Sequence, residues 1–175
     1  ELFKGLAIDS MDYDWKKYPV IHLDMTKVQD GTPSDVKALL VDDMRRRLDA
    51  AGVSYIGEAI PGAMLAALIE GLAAKSPAGK VVVLVDEYDA PIGGRLGNPT
   101  DLLDVRTILH DFYVKLKSCD EQIRFIFMTG VSKFTKLSVL SGLNHLTDIS
   151  MKSEYATLLG YTPDELKEYF RDHIQ

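Results

Sequence analysis

Cysteine is almost missing. Cys119 is the single one in 175 residues, which excludes an internal disulfide framework and a zinc site built from several cysteines, and fits a reducing cytoplasm. No apolar run reaches the roughly 18 residues that suggest a membrane span, and the opening ELFKGLAIDS lacks the basic-then-apolar layout of a secretory leader. A cytoplasmic chain with no membrane partner is expected. Basic charge is short as well. Lys and Arg number 20 against 26 Asp and Glu, a formal net charge of -6, so any contact with a polyanion must be focal, and nucleic acid as a partner stays open. There is no internal repeat and no low-complexity tract. The first residue is Glu1 and not Met, and a piece of a longer chain is expected from that.

What is present is a core and an alternation. At 46% hydrophobic residues the chain can fill one globular domain. Tyr18 to Met25 is a short β-prone run ending near Asp24. Thr32 and Pro33 announce a helix whose apolar positions Val36, Leu39, Leu40, Met44 and Leu48 keep helical spacing until Gly52. Its other face, with Asp42, Asp43 and Arg45 to Arg47, reads as solvated. A second helix is expected over Pro61 to Ala74 and a third over about Thr100 to Lys117. Between them VVVLV, Val81 to Val85, is uniform enough to be a strand covered on both faces. Ile123 to Met128 is a third strand. A short helix near Val139, a fourth strand over Thr147 to Met151 and a last helix capped by Thr162 and Glu165 complete the expectation. Strands and helices alternating in this order indicate an α/β domain with a mainly parallel sheet.

The strand VVVLV runs straight into Asp86, Glu87 and Asp89. In an open parallel sheet, ligands bind beyond the carboxyl ends of the strands. An apolar strand closing on Asp-Glu is the pattern of a Walker B segment. There the Asp holds Mg²⁺ and the Glu polarises the water that attacks a γ-phosphate, because the metal needs a hard oxygen ligand on a rigid strand end and hydrolysis needs a second carboxylate beside it. An acidic turn that merely returns a buried strand to water fits the same residues, and both readings stay open on this stretch alone. Thr129, at the end of IRFIFMTG, falls where a neighbouring strand would present a polar sensor. A hydroxyl bonded to nearby backbone fits it too. Ser132, Lys133 and Lys136 add donors near that rim or form an exposed loop.

Other chemistries find little support. The phosphate-gripping pattern G-x-x-x-x-G-K-[ST] is not in the sequence, and Gly79-Lys80 leads into a strand instead of a helix. The four histidines have no metal-ligand spacing, and Cys119 beside Asp120 and Glu121 is a poor nucleophile. Glu165-Leu166-Lys167 has the spacing of some nuclease cores but lies on an expected helix.

The run VVVLVDEYDAPI, the segment FIFMTGVSKFTKLSVLSGLNHLTDIS, the following EYATLLGYTPDEL, and LFKGLAI with YPVIHLDM together resemble the bacterial AAA-ATPase-like family. Its members commonly carry a PD-(D/E)XK nuclease-like domain after the ATPase part. The resemblance implies a three-layer P-loop NTPase fold of the additional-strand type, with strand order near 5-1-4-3-2 and the first strand and phosphate loop upstream of this chain, so that residues 1–175 form a partial ATPase domain. It implies Mg²⁺ and ATP as cofactors, Asp86 as metal ligand, Glu87 and Thr129 as catalytic residues, and Asp86, Asp89 and Lys133 toward the nucleotide. A nuclease-like C-terminal domain in the parent chain is implied as a partner. Such a piece alone is expected to bind ATP weakly or not at all and to self-associate through open strand edges. Arg95 and Arg106 follow the acidic turn, with nothing to single out either as an arginine finger. The alternative function is a non-hydrolysing interaction or regulatory module on the same fold, and a purely structural α/β domain stands behind it.

Overall fold

A computed structural model describes residues 2–13, 15–95, 97–131, 139–140, 142–158 and 160–174. The chain divides into two units, Glu1–Leu143 and Asn144–Gln175.

The first unit is α/β. Strands β1 (Val20–Asp24), β2 (Val81–Asp86) and β3 (Ile123–Met128) form a parallel sheet in the order β1-β2-β3. They pair with no gap among them, and all three carboxyl ends lie on one rim. Asp24 pairs with Asp86, and Val85 with Met128, so residues far apart in sequence end side by side.

Helix α1 (Pro33–Ala51) starts at a capping box in which Thr32 and Asp35 satisfy each other's backbone amides. It stops at Gly52, whose φ of 60° is a conformation that glycine adopts at little cost. Asp42 and Asp43 hold Arg46 and Arg47 one turn along, so the charged face is a paired, solvent-side face as expected. Helix α2 (Pro61–Lys75) packs against α1 and against α4 (Pro99–Ser118). The approach of α2 to α4 is close: a Cβ on Gly62 would stand 2.7 Å from the carbonyl oxygen of Asp111. Leu65, Ile69, Leu109 and Leu116 are fully buried in this layer, each stabilising by about 2 kcal/mol.

The structure differs from expectation at two places. Along β2, Val81, Val83 and Val85 are buried while Val82 and Leu84 are half-buried, and Val20 and Phe125 of the neighbouring strands are 56% and 53% exposed. One face of the sheet is therefore covered and the other is partly open, where a fully covered strand was expected. Helix α3 (Ala90–Gly93), a single turn, follows the acidic turn. Thr147 to Met151 is not a strand, because the Asp148 carboxylate accepts from the Ser150 amide and the Lys152 amide turns back to Ile149, which spends the segment's donors on a turn. The helix expected near Val139 has 132–138 and 141 around it, outside the described residues; Val139 itself is buried in a turn.

The second unit carries α5 (Pro163–Tyr169), begun by the expected capping box of Thr162 and Glu165. None of its described residues is buried. Glu165 and Lys167 lie on this helix, so their spacing forms no strand-borne nuclease core.

Candidate functional site

At the end of β1, Asp24 turns its carboxylate back on the chain. Its Oδ1 accepts from the Thr26 hydroxyl at 2.6 Å and the Thr26 amide at 3.2 Å, and Lys27 Nζ lies 3.3 Å from Oδ2. The Thr26 hydroxyl, aided by Lys27, holds the Asp24 carboxyl below the usual carboxylate range against a smaller opposing effect of burial. Lys27 itself is exposed and brings a cation to the rim.

At the end of β2, Asp86 points its Oδ1 at Thr129, whose hydroxyl donates to it at 2.5 Å. The same hydroxyl oxygen accepts from the Glu87 amide at 3.3 Å. The backbone of Thr129 is fixed at both groups: its amide donates to Val85 O and its carbonyl accepts from the Tyr88 amide, each at 2.9 Å. Thus β3 reaches across to clamp the turn that follows β2. Within that turn Glu87 has a φ of 49°, a left-handed conformation that costs a residue with a Cβ about 1–2 kcal/mol. Glu87 is half-buried and Asp86 exposed.

Asp89 behaves differently from its two neighbours. It is only 4% exposed, and its Oδ1 accepts from the Val131 amide at 3.2 Å, so it anchors the chain leaving β3. Gly130 makes that approach feasible, since a Cβ there would meet the Tyr88 ring and stand 2.7 Å from Asp89 Oδ1. Beneath the turn, the buried Tyr113 of α4 donates to Tyr88 O at 3.0 Å. Burial, with the charge of Asp89 behind it, pushes the Tyr113 phenol well above its ordinary value and keeps it a donor.

Asp24, Asp86, Glu87 and Thr129 thus share one rim. Asp89 lies beneath it in a bracing role. Lys133, with Ser132 and Lys136, lies outside the described residues. The sequence reading passed over Lys27, which its spacing of three from Asp24 could have signalled. Arg95 is 8% exposed, its guanidinium spent on backbone carbonyls of Gln29, Gly31 and Pro91, so in this arrangement it is not an exposed arginine finger. Cys119 is buried, and burial first, then the Glu70 carboxylate, raises its thiol. The expected inertness holds, though Glu70 and not Asp120 or Glu121 supplies the charge. Lys80 donates to Glu121 O at the end of the sheet opposite the rim, as befits a lysine that introduces a strand.

The donors at the rim suit a hydrated hard cation better than a closed cage. Among the described residues no three His, Cys, Asp or Glu side chains gather as a metal-binding group, and Thr129 engages one oxygen of Asp86 while the other has no partner there. Mg²⁺ keeps most of its waters and takes one or two carboxylates beside a phosphate, a demand that Asp86 can meet.

Comparison with known proteins bears on this rim. Residues 1–140 match the family described as predicted AAA-ATPase. The chain belongs to that family. A relative described as an uncharacterized protein in the vnfD 5′ region of Azotobacter chroococcum mcd 1 is 34% identical over 174 residues, 99% of this chain and 33% of the relative. The chain therefore spans about a third of that relative's length. No solved structure matches. Family membership supports a nucleotide-dependent activity in general terms. Among the described residues no helix is long and apolar enough to cross a membrane.

Proposed function

We propose that the rim is the Walker B half of an Mg-ATP site in an ATPase that drives conformational change in an attached or partner domain. The observation that carries this reading is the joint between Asp86, Thr129 and Glu87: a strand-end carboxylate bonded to a hydroxyl from the next strand, beside a second carboxylate on a left-handed residue. Bound Mg-ATP supplies the electrophilic phosphorus and the charge that the site must stabilise. Asp86 is the residue to hold the metal, with Thr129 fixing the rotamer of its carboxylate. Glu87, one residue further and free of the strand, orients and polarises a water. Lys27 and Lys133 supply positive charge toward phosphate oxygens, and Asp89 serves the nucleotide side by holding the chain at Val131.

On this reading β1, β2 and β3 are the 2-3-4 run of a sheet ordered 5-1-4-3-2, and the strand that carries the phosphate loop pairs with the outer edge of β3. On the same reading, that edge is where the chain standing alone would self-associate. Calorimetry tests the reading on two polypeptides, this chain and the same chain extended upstream in its gene through a Gly-Lys-Ser/Thr loop. The longer one is expected to bind Mg-ATP and to hydrolyse it, the chain alone to bind weakly or not at all, and Glu87→Gln in the longer one to keep binding while losing turnover. Binding with no turnover in the unsubstituted protein makes it a regulatory module, and no binding by either leaves the acidic turn as scaffold.

A further inference from the structure

Arg95 is a buried cation that makes no ion pair with a carboxylate among the described residues. It stands between α3 and α4, 8% exposed, and both of its terminal nitrogens donate to main-chain carbonyls. Nη1 donates to Gln29 O at 2.8 Å and to Pro91 O, and Nη2 donates to Gly31 O at 2.6 Å, while Nε has no partner. Two of these carbonyls lie in the segment between β1 and α1, and the third lies in the turn after β2. The guanidinium therefore joins two loops separated by more than sixty positions in the sequence. A planar fork with donors on both arms can do this; an ammonium on a flexible stem cannot reach the same three oxygens. Burying a charge is costly unless its donors are satisfied, so a structural tie alone would more cheaply use an apolar contact.

We propose that Arg95 is a positioning residue, a clasp that holds residues 25–31 on the turn after β2 and so keeps Asp24 and Lys27 in place beside Asp86 and Glu87. The ends of the clasped segment are themselves defined. Asp24 caps the short 3-10 turn Met25–Val28, and Gly31, at a φ of 80°, passes so close to the Asp35 carboxylate that a Cβ would stand 2.7 Å from it. Between those two fixed points Met25 and Val28 are buried, and Arg95 adds the polar connection to β2's side of the rim. Asp89 makes the corresponding connection to β3's side through Val131. The turn from Glu87 to Arg95 is thereby linked to both neighbouring loops, and a shift of Glu87 is passed to Lys27 through the clasp. This consequence for phosphate binding rests on the nucleotide reading above; the clasp itself does not.

Two measurements on Arg95→Met and Arg95→Lys test it. In the chain as it stands, hydrogen exchange of the amides from Met25 to Thr32 is expected to quicken by about tenfold or more in Arg95→Met and less in Arg95→Lys, with α4 and β2 unchanged. Uniform quickening across the unit, or none in this segment, overturns the clasp. In the upstream-extended polypeptide, Arg95→Met is expected to weaken Mg-ATP about tenfold with turnover at saturation preserved. Local quickening with unchanged affinity overturns the positioning role. If the unsubstituted extended protein binds no Mg-ATP, the nucleotide reading fails and the positioning role with it, and the exchange data still decide whether the clasp exists.

Discussion

The Thr129 hydroxyl bridges two groups of the preceding turn, donating to the Asp86 carboxylate and accepting from the Glu87 amide. A hydrogen bond to a charged group contributes about 1.5–3 kcal/mol when shielded from water, and less here, where Asp86 is exposed and water can replace the hydroxyl. Valine has the same shape without the hydroxyl. Thr129→Val is therefore expected to lower stability by about 1 kcal/mol, roughly 2–4 °C in Tm for a chain of this size, while Thr129→Ser stays near the parent. Thermal melts followed by circular dichroism read both. A Thr129→Val protein melting with the parent would mean that the joint is not formed in solution.

Gly130 tests the same corner from the other side. A methyl group there has nowhere to go but against the Tyr88 ring and Asp89 Oδ1, so the Val131 amide must move off the carboxylate or the tyrosine must swing out. Overpacking of this kind costs about 1–3 kcal/mol. The discriminating measurement is Gly130→Ala on the background of Tyr88→Ala, where one of the two obstacles has been removed. The two changes are expected to be less than additive, because the neighbours share the clash. Strict additivity would place the cost elsewhere.

Three capping carboxylates give the chain an acid-sensitive stability. Hydrogen bonds from Thr26 to Asp24, Thr32 to Asp35 and Thr162 to Glu165 lower each folded-state pKa below its unfolded value. The stabilisation is present in full above the unfolded values, near pH 4, and is lost as pH falls through the lower folded ones. Tm should hold between pH 7 and about 5 and fall below about 4. Asp24→Asn removes one of these titrations and should flatten the acid limb relative to the parent. An acid limb equal in slope for both proteins would show that Asp24 is unperturbed.

How much of this was legible beforehand depends on whether a signal is local. The helix start at Thr32, the capping box at Thr162, the stop at Gly52 and the three strands came through because each is written in a few adjacent residues. The half-open sheet face did not, since VVVLV reads alike whether its alternate residues meet a helix or face solvent. Thr147 to Met151 looked like a strand by composition, and one Asp148 side chain redirected it. At the site, the sequence brought Asp86, Glu87 and Thr129 forward together. It did not separate Asp89 from them, because exposure at a strand end and burial one turn later differ only in three dimensions. Arg95 was equally opaque: its partners are backbone carbonyls, which no side-chain pattern records.

Glu87 offers a test that separates structural from functional retention. Its φ of 49° costs about 1–2 kcal/mol for a residue with a Cβ. Glycine relieves that strain and gives back about 0.5–1 kcal/mol through the freer unfolded chain. The relief is the larger quantity, so Glu87→Gly is expected to stabilise by roughly 0.5–1 kcal/mol, some 1–4 °C in Tm. Glu87→Gln keeps the strain and should leave Tm unchanged. A chain under selection for stability alone would place glycine or asparagine here. On the nucleotide reading, a stability gain in Glu87→Gly supports a carboxylate kept at the end of β2 for its chemistry. If chemical denaturation instead shows Glu87→Gly to be destabilised, the side chain is contributing to the fold, and its place at the rim loses that support.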